Sequence, residues 1–223
     1  MDGQALWLTI KLALSTTGIL TAVGLPVAWW LATTRWRGRM VIESILALPL
    51  VLPPTVLGFY LLMMTGPRSW FGAKYLEWFD STLPFSFPGI LLASVIFNLP
   101  FVLRPFVAGF SGIDRRLLEA SWCLGVSRWS TFFRVALPLG WTGVLSGIVL
   151  GLAHCMGEFG VVFMVGGNIP GVTRTLSIAI YEDVQAMHYD EAGQTALWLI
   201  GFAFVCMCLV SSLNRRISPL GAG

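Results

Sequence analysis

Five stretches of this chain contain no aspartate, glutamate, lysine or arginine: Leu12–Thr34, Ser44–Pro67, Ser81–Leu103, Val135–Gly157 and Ala192–Asn214. Each is 23 or 24 residues long. A helix needs about 20 apolar residues to cross the hydrocarbon core, so each stretch is long enough to cross once and too short to cross twice. The solvent implied is a bilayer. Only 11% of the 223 residues are charged and the mean hydropathy is +0.78, whereas a soluble domain carries about 25% charged residues. That excludes an ordinary cytosolic enzyme and a disordered chain. The net charge of +3 is too small to suggest a nucleic-acid partner. The first stretch lacks a basic leader and exceeds the roughly 7–15 residues of a signal-peptide core, so it is read as a span rather than a cleaved leader.

The loops orient the spans. Ten basic residues follow spans 1, 3 and 5: Arg35, Arg37 and Arg39, then Arg104, Arg115, Arg116, Arg128 and Arg134, then Arg215 and Arg216. Lys11, Arg68, Lys74 and Arg174 fall on the other side. Cytoplasmic loops carry the excess of lysine and arginine, which puts the N-terminus outside, the C-terminus inside and loop 104–134 in the cytoplasm. Segment 158–191 is read as external or re-entrant. Its longest uncharged run, Phe159–Thr173, is 15 residues and contains Gly166, Gly167, Pro170 and Gly171. Non-helical backbone at membrane depth requires shielding by protein or a water-filled cavity. The aromatic outer loop with Trp70, Phe71, Tyr75, Trp78 and Phe79 fits an interfacial anchor.

Inside the spans, Pro26, Pro49, Pro53, Pro54 and Pro100 interrupt the backbone ladder, and Gly143, Gly147 and Gly151 form a stripe for close helix packing. These breaks suit a moving pathway; kinked helices in a rigid bundle are the alternative. No repeat or linker divides residues 1–223, which are read as a single all-α transmembrane domain. Cys123, Cys155, Cys206 and Cys208 have neither zinc-site nor disulfide-framework spacing and are read as small buried hydrophobes. No metal site is expected.

Loop 111–137 is the most structured soluble segment. Asp114 is a good N-cap, Gly125 can take a left-handed turn, and Ser127 can cap a second short helix. Pro138 is placed at the opening of span 4. The physics gives helix, glycine turn, helix. Its leucines, Trp122 and arginines make it either a knob that docks on a partner or an amphipathic hairpin at the interface.

Glu119-Ala120-Ser121, three residues, Gly125, nine residues, then Val135-Ala136-Leu137-Pro138 resembles the EAA loop of ABC importer permeases. Ser121 stands for a second alanine and Val135 for isoleucine. Leu48–Gly58, Gly157–Gly160 and Gly167–Thr175 resemble corresponding segments of molybdate permeases, and Asn168-Ile-Pro-Gly is shared in similar form with sulfate permeases. The resemblance covers about Leu12 to Arg216. It implies the type I importer permease fold, a coupling helix carrying Asp114, Glu119, Ala120, Ser121, Gly125, Leu137 and Pro138, and transport of molybdate or tungstate, with sulfate or thiosulfate as the alternative. It also implies two copies of an ATP-binding subunit, a second permease copy, an external oxyanion-binding protein and a bacterial or archaeal inner membrane. No cofactor is expected on this chain; ATP and magnesium belong to the partner ATPase. In agreement, neither Lys11 nor Lys74 follows a glycine, so the phosphate cradle of an ATPase is absent.

His154 and Glu158 lie four apart and share a helix face. They form either a proton relay, as in a proton-coupled transporter, or a structural hydrogen-bonded pair. Pro53, Pro54, Asn98, Glu158, Asn168 and Thr173 are the candidate gate and pathway residues. Glu158 is placed near the gate rather than on the anion, because a carboxylate repels a dianion. Segment 158–191 carries five acids against Arg174 alone, a poor anion sink. No catalytic residue is expected: the two histidines accompany no nucleophile elbow.

Overall fold

The computed structural model describes residues 2–215; Arg216, counted above among the inside cations, lies outside them. The described residues are helical, without strands. Helix α1 spans Gly3–Thr33, α2 Arg39–Val51, α3 Pro54–Thr65, α4 Trp70–Phe79 and α5 Phe87–Ser111. The hairpin follows with α6 at Arg115–Cys123, α7 at Arg128–Thr131, a π turn at Phe132–Ala136 and α8 at Leu137–Leu139. The chain then forms α9 Trp141–Gly157, α10 Gly160–Gly166, α11 Leu176–Gln185 and α12 Tyr189–Arg215.

Three helices, α1, α5 and α12, are continuous and apolar enough to cross a membrane, and two bent pairs raise the total to five. The expected spans are therefore present, but two are not straight. Span 2 is α2 and α3 bent by 109°, and span 4 is α7–α8 and α9 bent by 75°. The first bend falls at Leu52–Pro53, ahead of Pro54 at the first turn of α3. A proline restricts the residue before it to extended backbone, which ends the preceding helix. The second bend falls at Gly140, so Pro138 sits in α8 before the bend, and span 4 opens at Trp141 instead. Pro26, Pro49, Pro100 and Pro105 lie within continuous helices. Proline is tolerated inside a membrane helix where neighbours re-satisfy the freed backbone groups, and most of the expected proline breaks are absent.

The core is α1, α5 and α9 packed together. Buried positions on α1 recur at Ala5, Leu8, Leu12, Thr16, Leu20, Gly24, Ala28 and Leu31, the spacing of one helical face. The glycine stripe of α9 seats on α5: a Cβ at Gly143 would lie 2.7 Å from the Gly109 Cα. The expected close crossing is there.

Segment 158–191 divides. Val161, Val162, Val165 and Gly166 of α10 are buried, so this part is core shielded by α3 and α5, in keeping with the re-entrant option. α11 follows, held to α1 by a long-range bond: the Leu176 N–H donates to Thr9 Oγ1 at 2.8 Å, and the Thr9 hydroxyl donates to the Ala5 carbonyl at 2.7 Å. A first-turn helical N–H has no partner within its own helix. Thr9→Val should therefore strand a buried donor and cost about 1–3 kcal/mol, read as a lower thermal midpoint of the purified protein; an unchanged midpoint would show that the bond contributes nothing.

Helix α4 is capped by Ser69, whose hydroxyl accepts from the Gly72 N–H. It leaves Trp70, Trp78 and Phe79 exposed, as an interfacial anchor requires. Of the cysteines, Cys155 and Cys206 are buried, but Cys123 and Cys208 are exposed. The expectation of four buried thiols fails at positions where the helix turns its outer face.

Candidate functional site

The hairpin is built by local caps. Asp114 Oδ1 accepts from the Arg116 N–H at 2.9 Å, and Ser127 Oγ accepts from the Ser130 N–H at 3.3 Å. Gly125 has φ +75°, a left-handed value that side-chain-bearing residues adopt at a cost. The turn is closed by Gly125 N–H to the Trp122 carbonyl at 2.9 Å and Val126 N–H to the Ser121 carbonyl at 3.2 Å. The Ser121 and Thr131 hydroxyls, 2.9 Å apart, tie the two arms together. Leu118 and Phe132 are buried in the same cluster as Leu31 and Phe110, and Trp29 of α1 packs on both Phe110 and Phe132. The hairpin is thus anchored in the core at its base. At its free face Leu117, Leu124 and Ala120 are exposed, as is Glu119, which pairs with Arg115 at 3.1 Å. Leu137 and Pro138 lie on α8 at its base. An anchored base and an apolar, charged free face suit a lever that moves with a partner.

A second constellation sits where α9 ends. Glu158 terminates the helix and is 4% exposed. Its Oε2 accepts from Ser94 Oγ and from Asn98 Nδ2, both at 2.6 Å. Asn98 Nδ2 also donates to the Ser94 carbonyl at 2.9 Å, and Cys155 Sγ lies 3.5 Å from Ser94 Oγ. A buried carboxyl must find hydrogen-bond partners; here α5 supplies both donors from one face, at positions 94 and 98. Glu158 therefore fastens the α9–α10 break to α5. Its Oε1 and the Asn98 Oδ1 remain without a protein partner.

His154 takes no part in this. Its ring stacks on Phe101 at 3.7 Å between centroids, and its Nε2 is buried without a partner. No hydrogen bond or ion pair joins it to Glu158 among the described residues. The shared helix face is real only as far as Gly157; the extended backbone of Glu158 (ψ 127°) swings its side chain to α5. Glu158→Leu leaves Ser94 and Asn98 facing hydrocarbon and should cost about 1–3 kcal/mol, whereas Glu158→Gln keeps an acceptor for both donors. Thermal unfolding of the two variants checks this: equal midpoints would remove the brace.

The two breaks meet. A Cβ at Gly160 would lie 2.8 Å from the Pro54 Cβ, and one at Gly58 would lie 2.6 Å from the Met164 Cβ. Pro53 and Pro54 are themselves exposed beside this contact. Segments 48–58 and 157–160, a hundred residues apart in sequence, thus pack together, α3 against α10. Asn168 and Thr173 are elsewhere, in the loop after α10. The Thr173 hydroxyl donates to the Gly166 carbonyl at 2.8 Å and accepts from the Ile169 N–H at 3.1 Å. Asn168 Oδ1 accepts from Arg174 Nε at 2.7 Å, and Arg174 pairs with Glu182 at 2.8 Å. These groups are consumed by the loop's own structure. Of the expected pathway residues, Asn98 and Glu158 come together, as do Pro54 and the Gly160 break; Asn168 and Thr173 join neither pair. Ser94 was missed, although its i, i+4 spacing to Asn98 on an apolar helix was visible.

A bundle of apolar helices with broken segments packed at their breaks, and a capped hairpin between two of its spans, suits a membrane transport component. The chain matches the family described as binding-protein-dependent transport system inner membrane component over residues 24–219, and it belongs to that family. Similar proteins include the molybdenum transport system permease protein ModB of Azotobacter vinelandii, 46% identical over 96% of this chain and 95% of that one. The ModB protein of Escherichia coli K12 is 36% identical over 97% and 96%. The sulfate transport system permease protein CysW of a Synechocystis strain is 35% identical over 96% of this chain and 77% of that one. Among solved structures, a bacterial alginate ABC transporter in complex with an alginate-bound periplasmic protein superposes with a TM-score of 0.75 at 18% identity, covering 98% of this chain and 80% of that one. The inward-facing MetNI methionine ABC transporter gives 0.69 at 16% identity, with 94% of each chain covered. The fold is that of an ABC importer permease, and the chain is a multi-pass membrane subunit.

Proposed function

We propose that this chain is the membrane-spanning subunit of an ATP-driven importer for molybdate, with tungstate as a close analogue, in a bacterial or archaeal cytoplasmic membrane. One observation carries the choice of substrate. The similarity to the two ModB permeases runs through 95–96% of their length at 46% and 36% identity, while the sulfate relative CysW is matched over 77% of its own at 35%. The machine would contain two copies of this chain, two ATPase subunits and an external oxyanion-binding protein. ATP and magnesium would act on the partner; this chain needs no cofactor. Closure of the ATPases would move the 114–135 hairpins. Leu118 and Phe132 carry that motion into α1 and α5, and α5 holds the α9–α10 break through Glu158. The opposed breaks at Pro53–Pro54 and Glu158–Phe159 are where the pathway would open and close, giving alternating access.

Sulfate is the second reading, favoured by the 35% identity to CysW. A proton relay through His154 and Glu158 is disfavoured, since among the described residues no hydrogen bond or ion pair joins the two. The test is uptake of labelled molybdate into cells lacking their own system and supplied with this chain, its ATPase and its binding protein. Uptake requiring all three and resistant to excess sulfate is expected. Inhibition by modest sulfate reassigns the substrate, and uptake without the ATPase overturns the mechanism.

A further inference from the structure

Beneath the end of α1 lies a cavity of about 570 Å³ between that helix and the hairpin. Four tryptophans line it: Trp29 and Trp30 from the last turns of α1, Trp122 from α6 and Trp129 from α7. Three exposed arginines also line it: Arg35, Arg115 and Arg128. Only Arg115 has an acidic partner, Glu119. The side chains of Arg35 and Arg128 make no ion pair or hydrogen bond among the described residues. Two donors besides the arginines are also uncommitted. The Trp122 indole N–H is buried without a partner. The Thr34 hydroxyl accepts from the Trp36 N–H and keeps its own proton to give.

This donor set has one chemistry. Guanidinium groups bind phosphate bidentately, and a neutral N–H or O–H completes the oxygens' coordination. Tryptophans clustered at the end of a spanning helix belong at the headgroup level of a bilayer. Basic pockets between membrane helices on the cytoplasmic side take anionic lipid headgroups. We propose that the cavity is a binding site for the phosphate headgroup of an anionic phospholipid of the cytoplasmic leaflet, clamped between Arg35 of the α1 end and Arg128 of the hairpin. It rests on the functional reading above only in placing the hairpin on the cytoplasmic side. The headgroup bridges the membrane-embedded α1 and the moving hairpin, so the lipid would set how stiffly the two are joined.

The same oxygens occur in free phosphate and in molybdate itself, and the test separates them. The full-length chain, with or without co-purified ATPase, is titrated with phosphatidylglycerol and with phosphatidylcholine, and bound lipid is counted by native mass spectrometry. Phosphatidylglycerol is expected to bind the wild type and to weaken by about fivefold for each arginine lost, roughly twenty-five-fold in R35Q/R128Q. R68Q, a cation placed on the opposite side, should bind like the wild type. R35Q leaves the hairpin's sequence untouched and serves if the double variant does not express; a fivefold loss is expected of it alone. Unchanged phosphatidylglycerol binding in these variants, or equal binding of phosphatidylcholine, overturns the site. Displacement of the lipid by inorganic phosphate or molybdate at modest excess overturns the lipid as occupant and assigns a free oxyanion. None of these readouts depends on transport, so failed molybdate uptake and failed lipid binding remain separate results.

Discussion

Gly143→Leu is expected to leave little folded protein in the membrane. At this position α9 touches α5 backbone to backbone. An added Cβ would lie 2.7 Å from both the Gly109 Cα and the Pro105 carbonyl oxygen. No rotamer change relieves that, because neither obstacle is a side chain. One and two turns further along, a Cβ at Gly147 would meet the Val102 carbonyl at 2.7 Å and one at Gly151 the Val102 Cγ2 at 2.5 Å. The whole crossing would have to open. Overpacking a core costs about 1–3 kcal/mol where side chains can yield; here the helices must separate, so the loss exceeds that range. Close packing is also what drives helix association where lipid is as apolar as the side chains. Gly201→Leu is the control: a Cβ there meets nothing within 4 Å. Detergent-solubilised yield and thermal midpoint compare the two. A Gly143→Leu protein with the wild-type midpoint would disprove the crossing.

That stripe was legible in the sequence because small residues four apart in an apolar span have few other uses. The hairpin was legible for a different reason. Caps and a glycine turn are decided by residues within four of one another, so Asp114, Gly125 and Ser127 could be placed without knowing the rest of the fold. Bends were less legible. Pro26, Pro100 and Pro105 remain inside helices while Gly140 breaks one, because tertiary packing decides whether freed backbone groups are satisfied. Pro53-Pro54 is the case in which the local rule prevailed: consecutive prolines restrict two successive residues. The polar seam was half legible. Glu158 stood out as a carboxyl in an apolar run, and its i, i+4 relation to His154 suggested a partner. The break after Gly157 removed that relation and gave Glu158 to Ser94 and Asn98, sixty and more residues away. Asn168 and Thr173 have the residue types of path donors. Nothing local announced that Arg174 and the Gly166 carbonyl would occupy them.

Gly125→Val should leave the protein assembled and stop it working. With φ at +75° and no atom within 4 Å of an added Cβ, position 125 has room for a side chain but not the backbone to carry one. A left-handed residue with a Cβ costs about 1–2 kcal/mol, and a β-branched one in this region is an outlier. The turn would therefore rearrange, giving up the bonds from Gly125 N–H to Trp122 and from Val126 N–H to Ser121. The base is untouched, since Leu118, Phe132 and Ala136 stay buried in the helical core. Only the free face moves, taking Leu117, Glu119 and Leu124 out of register with the α7 arm. If that face is the coupling surface, wild-type amounts of complex should form while ATPase activity no longer responds to the loaded binding protein, and uptake should fall to background. A graded series separates conformation from bulk. Asparagine tolerates the left-handed region, so Gly125→Asn should retain most of the stimulated activity, Gly125→Ala less and Gly125→Val none, although asparagine is as large as valine. The measurement is stimulated ATPase turnover in proteoliposomes alongside uptake. Full transport in the valine variant would sink the coupling role; equal loss in asparagine and valine would mean that the face is sensitive to side-chain size, not to the shape of the turn.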